Sequence, residues 1–167
     1  MDLLIAMNTQ NSFLSPSGTV YIGEKAEILK VRLKDYISSF NGKKLFCREI
    51  HSKEDKLFLG EKTHSIPTTS DVLIIDELKP FINFVVEKYA YNAFHESKLD
   101  VNLKREKPSK IFLVGVETHT SILFTAEELR NRGYDVVVVE PCMMSLDDHM
   151  HNFAVSLMKN YLGVEVE

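Results

Sequence analysis

The sequence predicts an α/β fold of three layers, a doubly wound (Rossmann-like), mainly parallel sheet with helices on both faces. Short apolar runs alternate with longer segments whose apolar residues recur at helical spacing, and this alternation is typical of parallel sheets. Two of the runs, 111–114 and 136–139, are apolar without interruption, as expected of strands that are covered on both faces. No internal repeat or linker interrupts the 167 residues, so we expect one domain over 1–167.

Six runs are predicted as strands. The clearest is 135–139, four valines after an aspartate, because the branched side chain of valine favours strands. The segment 72–75 fits a short strand and a helical turn equally well. In chain order, the predicted strands are 3–7, 44–50, 81–86, 111–114, 135–139 and an edge strand at 164–166.

Four segments have the apolar spacing of amphipathic helices. Asn41-Gly42 ends the first of them and Gly133 ends the third, as glycine often does after a helix. The segment 51–72 is polar and irregular, and a loop of that length in a compact domain is usually functional. The predicted helices are 24–40, 93–103, 122–132 and 148–162. The last is expected to turn inward Phe153, Ala154, Leu157, Met158 and Tyr161.

Composition and charge narrow the classes of function. A hydrophobic fraction of 44% is that of an ordinary soluble globular protein, and a net charge of −4 favours neither nucleic acid nor a membrane surface as partner. No run approaches the roughly 20 apolar residues of a membrane span, and no signal peptide is evident, so we expect a cytoplasmic protein. Cys47 and Cys142 lie in or beside predicted strands, which favours buried thiols over a disulfide.

Polar side chains stand where four of the predicted strands end. The C-terminal ends of parallel strands lie along one edge of the sheet, where open α/β folds bind their ligands. Residues 118–121 also begin a helix, whose first backbone N–H groups can bind an anion or a carbonyl oxygen. We therefore expect the site at this edge, formed by Asn8, Glu49, His51, Lys88 and residues 117–121.

Four stretches carry a more specific signal. They are residues 4–13 with the turn Asn8-Thr-Gln-Asn-Ser-Phe13, 86–94 around Lys88, 115–123 (Gly-Val-Glu-Thr-His-Thr-Ser-Ile-Leu), and 132–140. In this order they resemble the isochorismatase-like hydrolases, which include the nicotinamidases and related cysteine amidohydrolases. The resemblance implies the same three-layer fold and hydrolysis of a C–N amide bond in a small molecule. It also implies a homo-oligomer, either a dimer or a tetramer.

In that family an aspartate acts as general base, a lysine supports it electrostatically, and a cysteine attacks the amide carbonyl to form a thioester. The resemblance places Asn8, Lys88 and Ser121 at these three positions, so only the lysine is retained. An amide side chain takes up no proton near neutral pH, and a serine without a base is a far poorer nucleophile than a cysteine of pKa about 8.5. We therefore expect a ligand-binding hydrolase fold whose amide hydrolysis is impaired.

The resemblance also implies that backbone amides around residue 121 bind the oxyanion, helped by a cis peptide at Val116–Glu117. Aromatic residues flank the motifs and could form the walls of a pocket for a flat ligand, although core packing explains them equally well. The candidate substrate-binding residues are Phe13, Tyr89, Phe94, Val116, Glu117, His119 and Thr120.

The segment Glu49-x-His51, with His64 in the following loop, resembles the metal-binding residues of nicotinamidases. Two imidazoles and a carboxylate suit a divalent ion such as zinc and leave coordination positions open. Many members outside the nicotinamidases lack this site, and solvated loop histidines are the alternative. The resemblance requires no other cofactor.

Two enzymatic alternatives stay open at this point. Lys88 could deprotonate Ser121, as in Ser–Lys hydrolases, if burial lowered the pKa of the lysine. The chain could instead be a non-covalent vinyl-ether hydrolase akin to true isochorismatases, some of which carry a histidine at the position of His119. That reaction relies on the aspartate as proton donor, so Asn8 argues against it.

Overall fold

The computed structural model describes residues 1–56 and 62–167, and within them a parallel sheet of six strands forms the centre of the fold. The strands are β1 (Leu3–Met7), β2 (Lys43–Glu49), β3 (Phe84–Lys88), β4 (Ile111–Val116), β5 (Val136–Met144) and β6 (Glu165–Val166). Their order across the sheet is β3-β2-β1-β4-β5-β6, and every neighbouring pair is parallel. The order reverses between β1 and β4, so a ligand crevice is expected at the C-terminal ends of these two strands.

Helices cover both faces of the sheet, which confirms the predicted three-layer fold. They are α1 (Asn11–Leu14), α2 (Lys25–Ser39), α3 (Leu99–Glu106), α4 (Leu123–Asn131) and α5 (Asp148–Tyr161). Two 3₁₀ turns, Ser70–Val72 and Asp76–Phe81, lie between β2 and β3, and a π-helical turn, Thr118–Ile122, leads into α4. Among the described residues, no helix is long and apolar enough to cross a membrane.

Alternate residues of β1 belong to two different cores. Leu3, Ile5 and Met7 pack with α3, α4 and α5 on one face of the sheet. Leu4 and Ala6 pack with α1 and α2 on the other face. Because both faces of β1 are buried, the strand has no polar position, and this explains its uninterrupted apolar sequence.

Gly115 brings β4 close to β1 at the edge where the site lies. Its φ of +112° is in the region that favours glycine, and a Cβ at this position would lie 2.0 Å from the carbonyl oxygen of Met7. Met7 and Gly115 are also register partners. Asn8 and the turn after β4 are therefore held next to each other.

The third strand lies later in the chain than its apolar pattern predicts. The pattern indicates 81–86, whereas β3 is Phe84–Lys88. Phe81 ends a 3₁₀ turn, and together with Ile82 it packs against the α2 side of the sheet. These two apolar side chains are thus explained by tertiary packing and not by strand pairing. Lys88 becomes the last residue of β3.

Two further expectations about helices are wrong. Helix α3 begins at Leu99 and not near 93, because the side chains of Asn92 and Ser97 form hydrogen bonds with nearby backbone groups and stabilise turns there. Phe153 and Tyr161 of α5 are 59% and 81% exposed, so the buried stripe is narrower than predicted.

The ambiguous segment 72–75 contains the end of a 3₁₀ turn followed by an isolated bridge. Residues 57–61 of the predicted loop 51–72 lie outside the described residues.

Candidate active site

Four buried polar side chains meet at the C-terminal edge of the sheet. Asn8 follows β1, Glu49 ends β2, Lys88 ends β3, and Ser121 lies in the π-helical turn after β4. Ser121 Oγ lies 3.0 Å from Asn8 Nδ2, 3.1 Å from Lys88 Nζ and 3.4 Å from Glu49 Oε2. The structure therefore brings together the three residues that the resemblance places at catalytic positions, and it adds Glu49 to them.

Lys88 is completely buried, and each of its three N–H groups has an acceptor. Its Nζ donates to Glu49 Oε2, to the carbonyl oxygen of Ala90 at 2.9 Å and to Ser121 Oγ. An ammonium group has three donors, so this environment suits the charged form of the lysine. A buried charge is stable only with such compensation. Because all three donors are engaged and one of them is directed at Ser121 Oγ, the ammonium group offers no acceptor to that hydroxyl, so the lysine is poorly placed to act as a base towards Ser121.

The carboxylate of Glu49 connects two parts of the site. Oε1 lies 2.9 Å from Nε2 of His51 and 2.9 Å from Nε2 of His64, while Oε2 faces Lys88 and Ser121. Burial raises the pKa of Glu49, but Lys88 and the contacts with the two histidines outweigh burial and hold the pKa well below its usual range. The carboxyl group is therefore ionised in the folded protein.

Asn8 occupies a backbone conformation that restricts which residues can stand there. Its φ is +49°, a region that asparagine and aspartate enter more readily than other residues with a Cβ. Its Nδ2 donates to Ser121 Oγ and to Glu49 Oε2, the latter at 3.3 Å. Its buried Oδ1 has no hydrogen-bond partner among the described residues. Asparagine can thus replace aspartate here without backbone strain, but it presents a donor to Ser121.

The turn that carries Ser121 begins with a cis peptide between Val116 and Glu117. Val116 itself is buried in the core on the α2 side. The N–H of Thr118 donates to Ser145 Oγ, which also contacts His119 Nδ1 at 2.9 Å. Ser145 therefore fixes the start of the turn.

Two adjoining cavities lie above Ser121, and both are bordered by Phe13, His64 and Glu117. The inner cavity measures about 10 Å³, which suits one water-sized group, and Asn8, Glu49, Tyr91, Thr120 and Ser121 also line it. The outer cavity measures about 400 Å³, a volume typical of small-molecule sites. Its other described lining residues are Thr19, Val20, Tyr21, Lys62, His119, Leu146 and Asp147.

Two of the aromatic candidates do not line these cavities. Tyr89 is 42% exposed, and it lines a separate surface pocket beside Glu87, to which its hydroxyl donates at 3.2 Å. Phe94 packs against the core of the α3 side, and the guanidinium of Arg132 lies 4.3 Å from the centroid of its ring. Tyr91, between them in the sequence, lines the inner cavity.

Glu49, His51 and His64 form a group that fits a divalent ion. Their ligand atoms all lie within 4.8 Å of one another, and all three residues are buried. Nδ1 of His64 donates to the carbonyl oxygen of Lys62 at 2.7 Å, and Nδ1 of His51 lies 2.8 Å from a carboxylate oxygen of Asp55. In the neutral rings this leaves both Nε2 lone pairs directed to the side of Glu49, the orientation that metal-binding histidines have.

The same contacts also suit a protonated ring of His51. Burial lowers the pKa of His51, but its hydrogen bonds to the carboxylates of Glu49 and Asp55 outweigh burial, so the pKa is raised above its ordinary value. A bound divalent cation and a proton on His51 would therefore compete for the same nitrogen atom.

The fold and the buried cluster define a doubly wound α/β protein with a polar cluster and two cavities at the strand ends. The family model of the isochorismatase domain matches residues 2–166. The chain therefore belongs to the isochorismatase-like hydrolase family.

The chain is similar in sequence or structure to proteins from several organisms. An uncharacterized isochorismatase family protein, PncA of Bacillus subtilis strain 168, is 24% identical over 177 residues, which cover 98% of this chain and 97% of that protein. The pyrazinamidase/nicotinamidase of Streptococcus mutans UA159 has a TM-score of 0.90 and 24% identity over the whole of both chains. The pyrazinamidase of Pyrococcus horikoshii in complex with zinc has a TM-score of 0.88 and 19% identity over 99% of this chain and 98% of that one.

Proposed function

We propose that the chain binds a small carbonyl or carboxylate compound above Ser121 without measurable hydrolysis of amides. The observation that carries this proposal is the environment of Ser121 Oγ, which lies between two nitrogen donors, Asn8 Nδ2 at 3.0 Å and Lys88 Nζ at 3.1 Å. A hydroxyl nucleophile needs a base within hydrogen-bond reach. Among the described residues, the carboxylate in contact with Ser121 is Glu49, and its nearer oxygen is already bound by the lysine.

The class of ligand follows from the donors and from the relatives. The start of a helical segment at Ser121, together with Lys88, suits a carbonyl or carboxylate oxygen. The outer cavity has the volume for a small aromatic compound. Similar solved structures are named as pyrazinamidases or nicotinamidases, which supports a small amide, or the acid derived from it, as the ligand.

The two enzymatic alternatives receive less support. A Ser–Lys hydrolase needs a neutral lysine, and Lys88 is ion-paired with Glu49. A vinyl-ether hydrolase needs a proton donor at residue 8, and the asparagine there is not acidic. His119 stands where some true isochorismatases carry a histidine. It contacts Ser145 at 2.9 Å and lines the outer cavity.

Binding without turnover is tested by combining two measurements on the native chain. We expect nicotinamide, pyrazinamide or their acids at about 100 times Kd to raise Tm by roughly 5–10 °C, with ammonia release no faster than in buffer. Thr120→Leu, which fills the inner cavity, should abolish the shift in Tm. Thr68→Leu makes the same change in an exposed turn and should leave the shift intact. Ammonia release that increases with protein concentration, or the lack of a shift with every compound, would contradict the proposal.

We also propose that Glu49, His51 and His64 bind a divalent cation such as zinc. The support is the donor set, its mutual distances and the outer hydrogen bonds of both histidines. The Pyrococcus horikoshii pyrazinamidase is described in complex with zinc. A bound cation would act as a Lewis acid towards a ligand atom in the cavity.

The metal proposal predicts a large effect of one ligand histidine. In a calorimetric titration with zinc, His64→Ala should lower the affinity by more than the roughly 10–100-fold that losing an outer hydrogen bond costs. His95→Ala, at a histidine with a 62% exposed side chain, should bind zinc as the native chain does. Equal affinities of the two variants would show that zinc binds elsewhere.

A further inference from the structure

We propose that Glu49 is the residue that positions the site: its carboxylate, at the end of β2, pairs with the buried Lys88 and accepts from Ser121. This carboxylate thereby restricts residue 8 to an uncharged side chain. The inference rests on the proposed function for the location of the site. It goes beyond that function because it assigns the negative charge of the site to Glu49, at the end of β2. The resemblance places the carboxylate of the family at residue 8, after β1. Its test uses neither ligand nor turnover.

One carboxylate among the described residues faces the buried ammonium group of Lys88. Lys88 is a buried cation, and Asn8 and Ser121 are neutral. Among the described residues, Glu49 is the carboxylate in contact with all three. Removing it would leave the lysine buried without a counter-charge, which is among the most destabilising single changes in a protein interior.

A second carboxylate at residue 8 would lie very close to the first. Asn8 Nδ2 donates to Glu49 Oε2 at 3.3 Å, so an aspartate in the same conformation would place an oxygen at that distance. Two carboxylates that share one buried site repel each other strongly. The amide of Asn8 replaces this repulsion with a hydrogen bond to the same oxygen.

Backbone contacts hold Glu49 so that it cannot easily withdraw. Its N–H donates to Gln10 Oε1 at 2.6 Å, and its carbonyl oxygen accepts from Gln10 Nε2 at 3.0 Å. Gln10 is itself buried and follows β1 by three residues. On the other side, Glu49 is the register partner of Lys88. The distance between residues 8 and 49 is therefore fixed from both neighbouring strands.

The experiment moves the charge from one strand to the other. Asn8→Asp and Glu49→Gln are made singly and together, and Tm is measured with a chelator present so that no cation contributes. Each single variant should lose roughly 10 °C, because one has two adjacent carboxylates and the other an unpaired lysine. The double variant has one carboxylate and one lysine again, and its Tm should return to within a few degrees of the native value.

A matched control is Glu87→Gln, which removes a carboxylate from the adjacent position of β3, where Arg48 is its partner. Combined with Asn8→Asp, it should not restore Tm, because Glu87 does not contact the cluster. If a single variant fails to fold and the charge-swapped double variant folds, the inference is supported. A double variant that loses as much as the two single variants combined would overturn it, and so would single variants with native Tm.

Discussion

Replacing Asn8 with aspartate and Ser121 with cysteine is expected to raise amide hydrolysis at least about 100-fold over the native chain, since each change restores one member of a catalytic unit. The cysteine would lie at the start of a helical segment and about 3 Å from a lysine, an environment that stabilises a thiolate. Ammonia release from nicotinamide and pyrazinamide is the measurement. Adding Glu49→Asp should increase the rate further, because a shorter side chain withdraws from the new aspartate.

The control for this increase in amide hydrolysis is a variant whose new cysteine lies outside the site. Asn8→Asp combined with Ser38→Cys carries a cysteine on the exposed side of α2 and should release ammonia no faster than the native chain. If the restored variant is as inactive as this control on every amide, the pocket is not that of a disabled amidase. The proposal of a carbonyl or carboxylate ligand would then lose its basis in the family reaction.

Replacing Lys88 with methionine is expected to lower the free energy of unfolding by about 3–5 kcal/mol, the cost of leaving one partner of a buried ion pair without the other. The side chain of Glu49 would stay buried without its cationic partner, in contact with the two histidines, Asn8 and Ser121. Burial raises the pKa of this carboxyl, and the change would remove Lys88, the charge that does most to lower it. Denaturant unfolding monitored by fluorescence or circular dichroism measures the change.

Lys110→Met is the matched control, since Lys110 forms an ion pair with Glu165 at 2.8 Å on the surface and not in the interior. Its effect should be much smaller, because exposed pairs contribute little to stability. Lys88→Met combined with Glu49→Gln should be less destabilised than Lys88→Met alone, because neither charge remains unpaired. Equal effects of Lys88→Met and Lys110→Met would show that the buried pair is not the main support of the site.

The parts of the fold that the sequence predicts are those that depend on local pattern. Strands β1 and β4 are apolar throughout because both of their faces are covered. The third strand is displaced in the prediction because Phe81 and Ile82 are apolar for a different reason, their contact with the α2 side. Phe153 is exposed because it lies beside, and not on, the face of α5 that packs against the sheet. The apolar periodicity of the sequence does not define that face to within one residue.

The same distinction applies to the site. Asn8, Lys88 and Ser121 could be placed together because parallel strands bring their ends to one edge. The two-sided contact of Glu49 could not be foreseen, since it depends on the pairing of β2 with β3 and on the reach of one side chain. Tyr89 and Tyr91 could not be distinguished either, because the direction of each ring is determined by the turns that follow β3.

The register of β2 and β3 also limits how this protein can change in evolution. Glu49 and Lys88 are paired at the last residues of two strands, so each is held in place by the number of residues that precede it in its strand. A single-codon insertion within β2 would bring Arg48 to the position of Glu49 and place a second cation beside the lysine. Within the strand, therefore, the chemistry can diverge only by exchanging one side chain for another.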